Sequence, residues 1–121
     1  IQYISPNFKY IFANKIRRAC SLLSELPIKD VEVSFINTEL KYRGRVDALT
    51  KNNEIVELKT GKFYDFYEIQ GAAYATAFNS NRVIFVVLGE EEPLRILEGV
   101  NLSKKIEEWI ELLNEFYGVR E

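Results

Sequence analysis

Apolar residues recur at helical spacing from Asn7 to Ser24, through Phe8, Ile11, Phe12, Ile16, Ala19, Leu22 and Leu23, with Lys9, Lys15, Arg17 and Arg18 around them. The pattern predicts an amphipathic helix, which Glu25-Leu26-Pro27 ends. From Val31 to Asn37 the period changes to two, predicting a strand with Glu32 and Ser34 on the face opposite Val33 and Phe35. Two more strands follow, Leu40 to Leu49 and Glu54 to Thr60, separated by the turn formers Lys51-Asn52-Asn53. The next helix has a readable start, with Asp65 as N-cap and Glu68 three residues on as its capping-box partner. In its body, Gly71, Ala72, Ala73, Ala75 and Ala77 are small enough to let the backbone approach a sheet closely. Arg82 to Leu88 reads as a buried strand and Leu94 to Leu97 as a short one. Leu102 to Tyr117 reads as a helix turning Ile106, Trp109, Ile110, Leu113 and Phe116 inward. At that spacing Trp109 is a core residue. The order α-β-β-β-α-β-β-α predicts an α/β fold, a mixed β-sheet flanked by helices, within a single domain spanning 1–121.

Loop length decides which side chains meet across the hairpin. A two-residue Asn52-Asn53 turn would pair Asp47 with Leu58 and mix charged with apolar residues on both faces, a register that burial disfavours. A three-residue loop, with Asn53 tolerating the left-handed conformation, pairs Asp47 with Glu57. That register predicts Tyr42, Val46, Ala48, Val56 and Leu58 on one face and Arg43, Arg45, Asp47, Glu57 and Lys59 on the other. Directly opposed Cβ atoms lie roughly 4.5–5.5 Å apart, so two carboxylates there repel unless a cation sits between them. Mg²⁺ or Mn²⁺ suits such hard oxygen ligands. Glu57 also lies inside the apolar run Ile55-Val56-Glu57-Leu58, where a charge is costly unless it is paired or coordinating.

Composition narrows the chemistry further. At 121 residues and 47% hydrophobic, the chain can bury one core. It contains no histidine, which excludes Ser-His-Asp and Cys-His catalysis and histidine-ligated zinc sites within this chain. No glycine-rich nucleotide loop is present. No membrane-spanning run and no secretory signal pattern appears, and the single cysteine, Cys20, gives no intramolecular disulfide, so an intracellular setting is expected. The chain opens at Ile1 rather than Met, which implies a piece of a longer protein. The net charge of −2 is unevenly spread. Residues 41–62 carry six basic and three acidic side chains, whereas residues 89–121 carry four and nine. Basic surface therefore remains where a phosphate backbone would pass.

Gly44-Arg45-Val46-Asp47, then Glu57-Leu58-Lys59-Thr60-Gly61-Lys62, then Gln70-Gly-Ala-Ala-Tyr74 resemble the RecB-like branch of the PD-(D/E)XK nucleases, which includes CRISPR-associated and helicase-linked exonucleases. The resemblance spans Glu32 to about Asn79. The Lys-Thr-Gly continuation and the Gln-x-x-x-Tyr pair make the set more specific than an acid and a Glu-x-Lys alone. It implies a restriction-endonuclease-like core, with Asp47 and Glu57 as metal ligands and Lys59 orienting or activating the attacking water. Gln70 and Tyr74 would be active-site and DNA-contacting residues, joined by Lys62 and Arg45 as further substrate-binding candidates. Many members carry a histidine upstream of the aspartate, and this chain has none. Glu32 is the candidate replacement ligand, or else a surface acid on an edge strand. An iron–sulfur cluster is excluded, because it takes four cysteines and this chain has one.

The reading that follows is an Mg²⁺- or Mn²⁺-dependent deoxyribonuclease of RecB-like exonuclease type, acting on DNA, with a homodimer or a larger DNA-processing complex as candidate assemblies. A Holliday-junction-type endonuclease, which requires a dimer, is the alternative inside the fold. A catalytically silent DNA-binding or scaffold domain is the alternative outside catalysis.

Overall fold

The computed structural model describes residues 6–118, and in the first helix it describes side chains for Asn14 and from Arg17 onward. Eight elements follow in order: α1 (Pro6–Glu25), β1 (Ile28–Asn37), β2 (Tyr42–Thr50), β3 (Ile55–Thr60), α2 (Phe66–Phe78), β4 (Arg82–Leu88), β5 (Leu94–Glu98) and α3 (Gly99–Phe116). The predicted inward set of the first helix at Phe8, Ile11, Phe12 and Ile16, with Lys9 and Lys15, lies outside the described side chains. Among the described residues no helix is long and apolar enough to cross a membrane.

The strands form one sheet in the order β1-β2-β3-β4-β5. β1 through β3 are antiparallel neighbours, β3 and β4 run parallel, and β5 returns antiparallel to β4. The parallel pair needs a crossover, and α2 supplies it. Each face of the sheet is covered. Ala19 of α1 packs on Ala48, Val56, Ile84 and Val86, while Val46, Leu49, Ile55, Val83, Phe85 and Val87 form the opposite core with Ala72 and Ala75 of α2 and Leu102 of α3. Burial on both faces explains why Val83 to Val87 read as an unbroken apolar run.

The small residues of α2 serve close approach. A Cβ on Gly71 would lie 2.7 Å from Phe85 Cζ and 3.0 Å from Val83 Cγ1, both in the packed core. Gly71→Ala is therefore expected to destabilise the protein by about 1–3 kcal/mol through overpacking, although alanine favours a helix by about 1 kcal/mol over glycine. Phe85→Leu should cost less in the Gly71→Ala background than in the wild type, because it makes room for the new methyl group. Urea unfolding of the four proteins reads the coupling, and strictly additive costs would mean that the ring and the helix do not meet in this way.

Three sequence expectations are corrected. Asp65 does not cap α2 with its side chain: it sits in the right-handed helical region and makes no side-chain cap hydrogen bond, so the capping box with Glu68 is not formed. The first turn closes through backbone bonds instead, Tyr67 N–H to Tyr64 O and Glu68 N–H to Asp65 O. Phe116 does not enter the core but stands 81% exposed at the end of α3, where Leu113 and Leu102 provide the buried contacts. The third concerns β2. Tyr42, whose hydroxyl donates to Ala73 O at 2.7 Å, and Val46 face α2, whereas Ala48, Val56 and Leu58 belong to the α1 face. The alternation slips at Asp47, opposite Glu32, which holds the unusual left-handed φ of 50°. Arg45 alternates with Gly44 and Val46 and so points away from the face of Glu57 and Lys59. Trp109 packs edge-on to Tyr42 at 5.2 Å, in keeping with a core role.

Candidate active site

The β2–β3 connection sets the site. Thr50 N–H donates to Glu54 O at 3.0 Å around the three-residue loop, and Asn53 takes φ 60°, the left-handed conformation that asparagine tolerates. Ala48 pairs with Val56 and Leu49 with Ile55, a register that carries on to place Asp47 opposite Glu57. There the backbone ladder stops and the two carboxylates take over. Glu57 Oε2 accepts the Asp47 N–H at 2.7 Å, and Asp47 Oδ2 accepts the Leu58 N–H at 2.7 Å. Each acid thus satisfies one backbone donor that the interrupted ladder would leave unpaired. Each also keeps one oxygen free of those bonds, Asp47 Oδ1 and Glu57 Oε1.

Glu57 is 3% exposed. Burial pushes its carboxyl up to about 7; the Asp47 N–H opposes the rise, the Asp47 charge adds to it and Lys59 works against it. A buried acid held this high needs either a proton or more positive charge beside it. Lys59 Nζ stands 3.7 Å from Glu57 Oε1, donates to Gln70 Oε1 at 2.6 Å, and lies 4.4 Å from the centre of the Tyr67 ring. The lysine is therefore held from three sides rather than waving in solvent.

Helix α2 delivers these partners from one face. Tyr67, Gln70 and Tyr74 recur at spacings of three and four, and all three turn to the sheet. Tyr74 packs edge-on to Phe35 at 5.8 Å. Its hydroxyl is raised above the ordinary tyrosine range, first by burial and then by the charges of Glu57 and Asp47. Gly44 makes that seat possible, since a Cβ there would lie 3.0 Å from both the Phe35 and the Tyr74 rings. The sequence signal for this seat was a glycine inside a strand, which marks close approach of another group. The reciprocal carboxylate-to-backbone bonds had no such signal.

Of the residues expected at the site, Asp47, Glu57, Lys59, Gln70 and Tyr74 are brought together. Three are not. Among the described residues no group of three or more Asp, Glu, His or Cys side chains is placed to hold a metal ion, so Glu32 does not join the two acids. It stays exposed, and its left-handed backbone marks the slip in β2. Arg45 lies on the other face of β2. Lys62 engages the Tyr64 ring, 5.8 Å from its centre, beyond the Lys59 cluster.

The donor set fits a hard divalent ion. Two carboxylates stand opposite each other where like charges would otherwise repel, and Mg²⁺ in particular is often held by one or two carboxylates, with water and substrate phosphate filling the remaining positions.

No protein-family profile matches the sequence, and no curated protein does. Solved structures do match. A phage-related exonuclease from Haemophilus somnus 129PT is 14% identical, with a TM-score of 0.48 over 95% of this chain and 72% of its own. The protein SSO0001 is 18% identical, with a TM-score of 0.47 over 89% of this chain and 61% of its own. A candidate exonuclease from Eubacterium rectale is 18% identical and superposes with a TM-score of 0.59 over 98% of this chain. This chain spans 57% of that protein's length, and the two share one α/β fold, here a mixed five-stranded sheet flanked by helices in the order α-β-β-β-α-β-β-α.

Proposed function

We propose that this chain carries the nuclease centre of a metal-dependent deoxyribonuclease of the PD-(D/E)XK type, in the RecB-like exonuclease arrangement. The observation that carries the reading is the opposition of Asp47 to Glu57, with Lys59 Nζ 3.7 Å from the inner acid. The fold shared with the Eubacterium rectale protein supports it. Asp47 and Glu57 would hold Mg²⁺ or Mn²⁺ through their free oxygens. Such an ion polarises a phosphoryl oxygen and makes water a stronger nucleophile at neutral pH. Lys59, fixed by Gln70, presents its ammonium to the attacking water or to the negative charge that develops on the phosphate. Tyr74 and Gln70 line the same side and would position the strand to be cut, with Lys62 on its approach.

A catalytically silent DNA-binding domain is the second reading, favoured by the absence, among the described residues, of a third acid beside the pair. One assay separates them. The protein is incubated with 5′- and 3′-labelled single-stranded, duplex and junction DNA in Mg²⁺, Mn²⁺ or EDTA. Hydrolysis that needs the metal is expected, with end-label release marking an exonuclease and paired cuts in the junction marking a dimeric endonuclease. DNA that is bound but never cut, with Mn²⁺ demonstrably bound as well, would leave the silent reading in place.

A further inference from the structure

The segment Gly61-Lys62-Phe63-Tyr64-Asp65-Phe66-Tyr67 joins β3 to α2 and is dense in aromatic rings. Two of them are half-buried against the core: Phe63 packs edge-on to Phe85 at 5.1 Å and to Tyr67 at 5.4 Å. Tyr64 and Phe66 instead stand out from the surface, 47% and 60% exposed. Their rings lie nearly parallel, 18° apart with centres 5.7 Å from each other. Both rest on Tyr67, Tyr64 at 5.7 Å and Phe66 at 4.7 Å. Tyr67 in turn carries the Lys59 ammonium on its face. The exposed pair is therefore tied to the candidate catalytic lysine through a single ring, and Lys62 adds a second cation above Tyr64. Neither ring is needed to fill the core, yet water contact with so much aromatic surface is unfavourable.

We infer that Tyr64 and Phe66 form a stacking platform for unpaired nucleobases of the strand that enters the site. The inference rests on the nuclease reading for its substrate class and adds a preference for single-stranded or frayed ends. The chemistry matches on both counts that single-strand binding requires: aromatic faces for bases and ammonium groups for the phosphates between them. The bases of a paired duplex are stacked on each other and cannot offer their faces, so the platform discriminates against duplex without reading sequence. It is held in place by Tyr67 and Phe63, so little ordering is needed when a base arrives.

The test compares two fluorescent strands of equal length, a thymidine oligomer and an abasic oligomer with the same phosphates, by anisotropy in Ca²⁺. Wild-type protein is expected to bind the thymidine strand about tenfold more tightly, as stacking of bases on aromatic faces gives. The Tyr64→Ala/Phe66→Ala double variant should lose that preference while retaining its melting temperature and its weaker, salt-dependent affinity for the abasic strand. Phe66→Trp with Tyr64 intact should keep or strengthen it. Equal binding of both strands by the wild type overturns the inference, as does a double variant that still prefers bases. A monomer–dimer shift on sedimentation that the double variant abolishes, without any base preference in the wild type, would overturn it in favour of a protein contact. Binding is read without turnover. A base preference in a protein that cuts no DNA in Mn²⁺ would therefore sink the nuclease reading and leave the platform standing.

Discussion

Asp47→Asn, Glu57→Gln and Lys59→Met are each expected to lower metal-dependent DNA cleavage by about a hundred- to a thousandfold, the range for losing a group that meets charge developing in the transition state. The amides are the sharper substitutions. In Asp47→Asn the new side chain keeps a carbonyl oxygen that can still accept the Leu58 N–H, and in Glu57→Gln one that can still accept the Asp47 N–H, whereas alanine would orphan those donors at about 1–3 kcal/mol each. A fall in activity with the amides then reports lost charge rather than lost fold. Calorimetry divides the roles. Mn²⁺ affinity should drop in Asp47→Asn and Glu57→Gln, because each removes an anionic ligand. Lys59→Met should retain it when measured near pH 8, since removing the ammonium also removes a charge that repels the ion. Undiminished cleavage by Lys59→Met would take the lysine out of the mechanism, and unchanged Mn²⁺ affinity in both amide variants would place the ion elsewhere.

Metal-free protein is expected to lose stability between about pH 5 and pH 8. In the fold Glu57 is pushed up to about 7 from an ordinary value of 4.5, so between those values the folded state holds a proton that the unfolded state has released. The sign follows from that difference: the stabilisation is fully present below about 4.5 and is lost as pH rises through 7. Its size is about 3 kcal/mol at 1.36 kcal/mol per pH unit. The chain has no histidine to obscure this window. Glu57→Gln, neutral at every pH, should flatten the profile, so the difference between wild type and variant isolates the carboxyl. Saturating Mn²⁺ at pH 8 should restore stability by taking the place of the proton, and should do far less at pH 5, where the two compete. Urea unfolding in EDTA and in Mn²⁺ provides the measurement. A wild-type profile in EDTA that rises toward pH 8 relative to Glu57→Gln would show that the carboxyl is ionised in the fold without help.

Much of this arrangement was written in local sequence. The hairpin register was legible because an asparagine that tolerates left-handed φ sat at the right place in a three-residue loop, and because a two-residue turn would have mixed charged with apolar residues on both faces. Gln70 and Tyr74 were legible through the motif they share with a known family, and the small residues of α2 announced its approach to the sheet. These are properties of neighbours in the chain, fixed by backbone sterics and by the periods of helix and strand.

Other features depended on partners far away in sequence. Arg45 was expected beside the acids by strict alternation, but the slip at Asp47, opposite the left-handed Glu32, carries it to the other face. The capping box at Asp65 fitted the sequence, yet Asp65 is itself helical, and the aromatic cluster of Tyr64, Phe66 and Tyr67 occupies that entry. Phe116 followed the helical stripe of α3 past the end of the surface it was meant to cover. The sequence by itself determined the elements, their order and the pairing of the two acids, because those follow from local conformational preference and burial pattern. Only the tertiary structure decided that the Glu57 carboxyl is pushed up to about 7, that Lys59 is pinned between Gln70 and Tyr67, and that Glu32 stands apart, because the degree of desolvation and the meeting of side chains arise only when distant segments exclude water together.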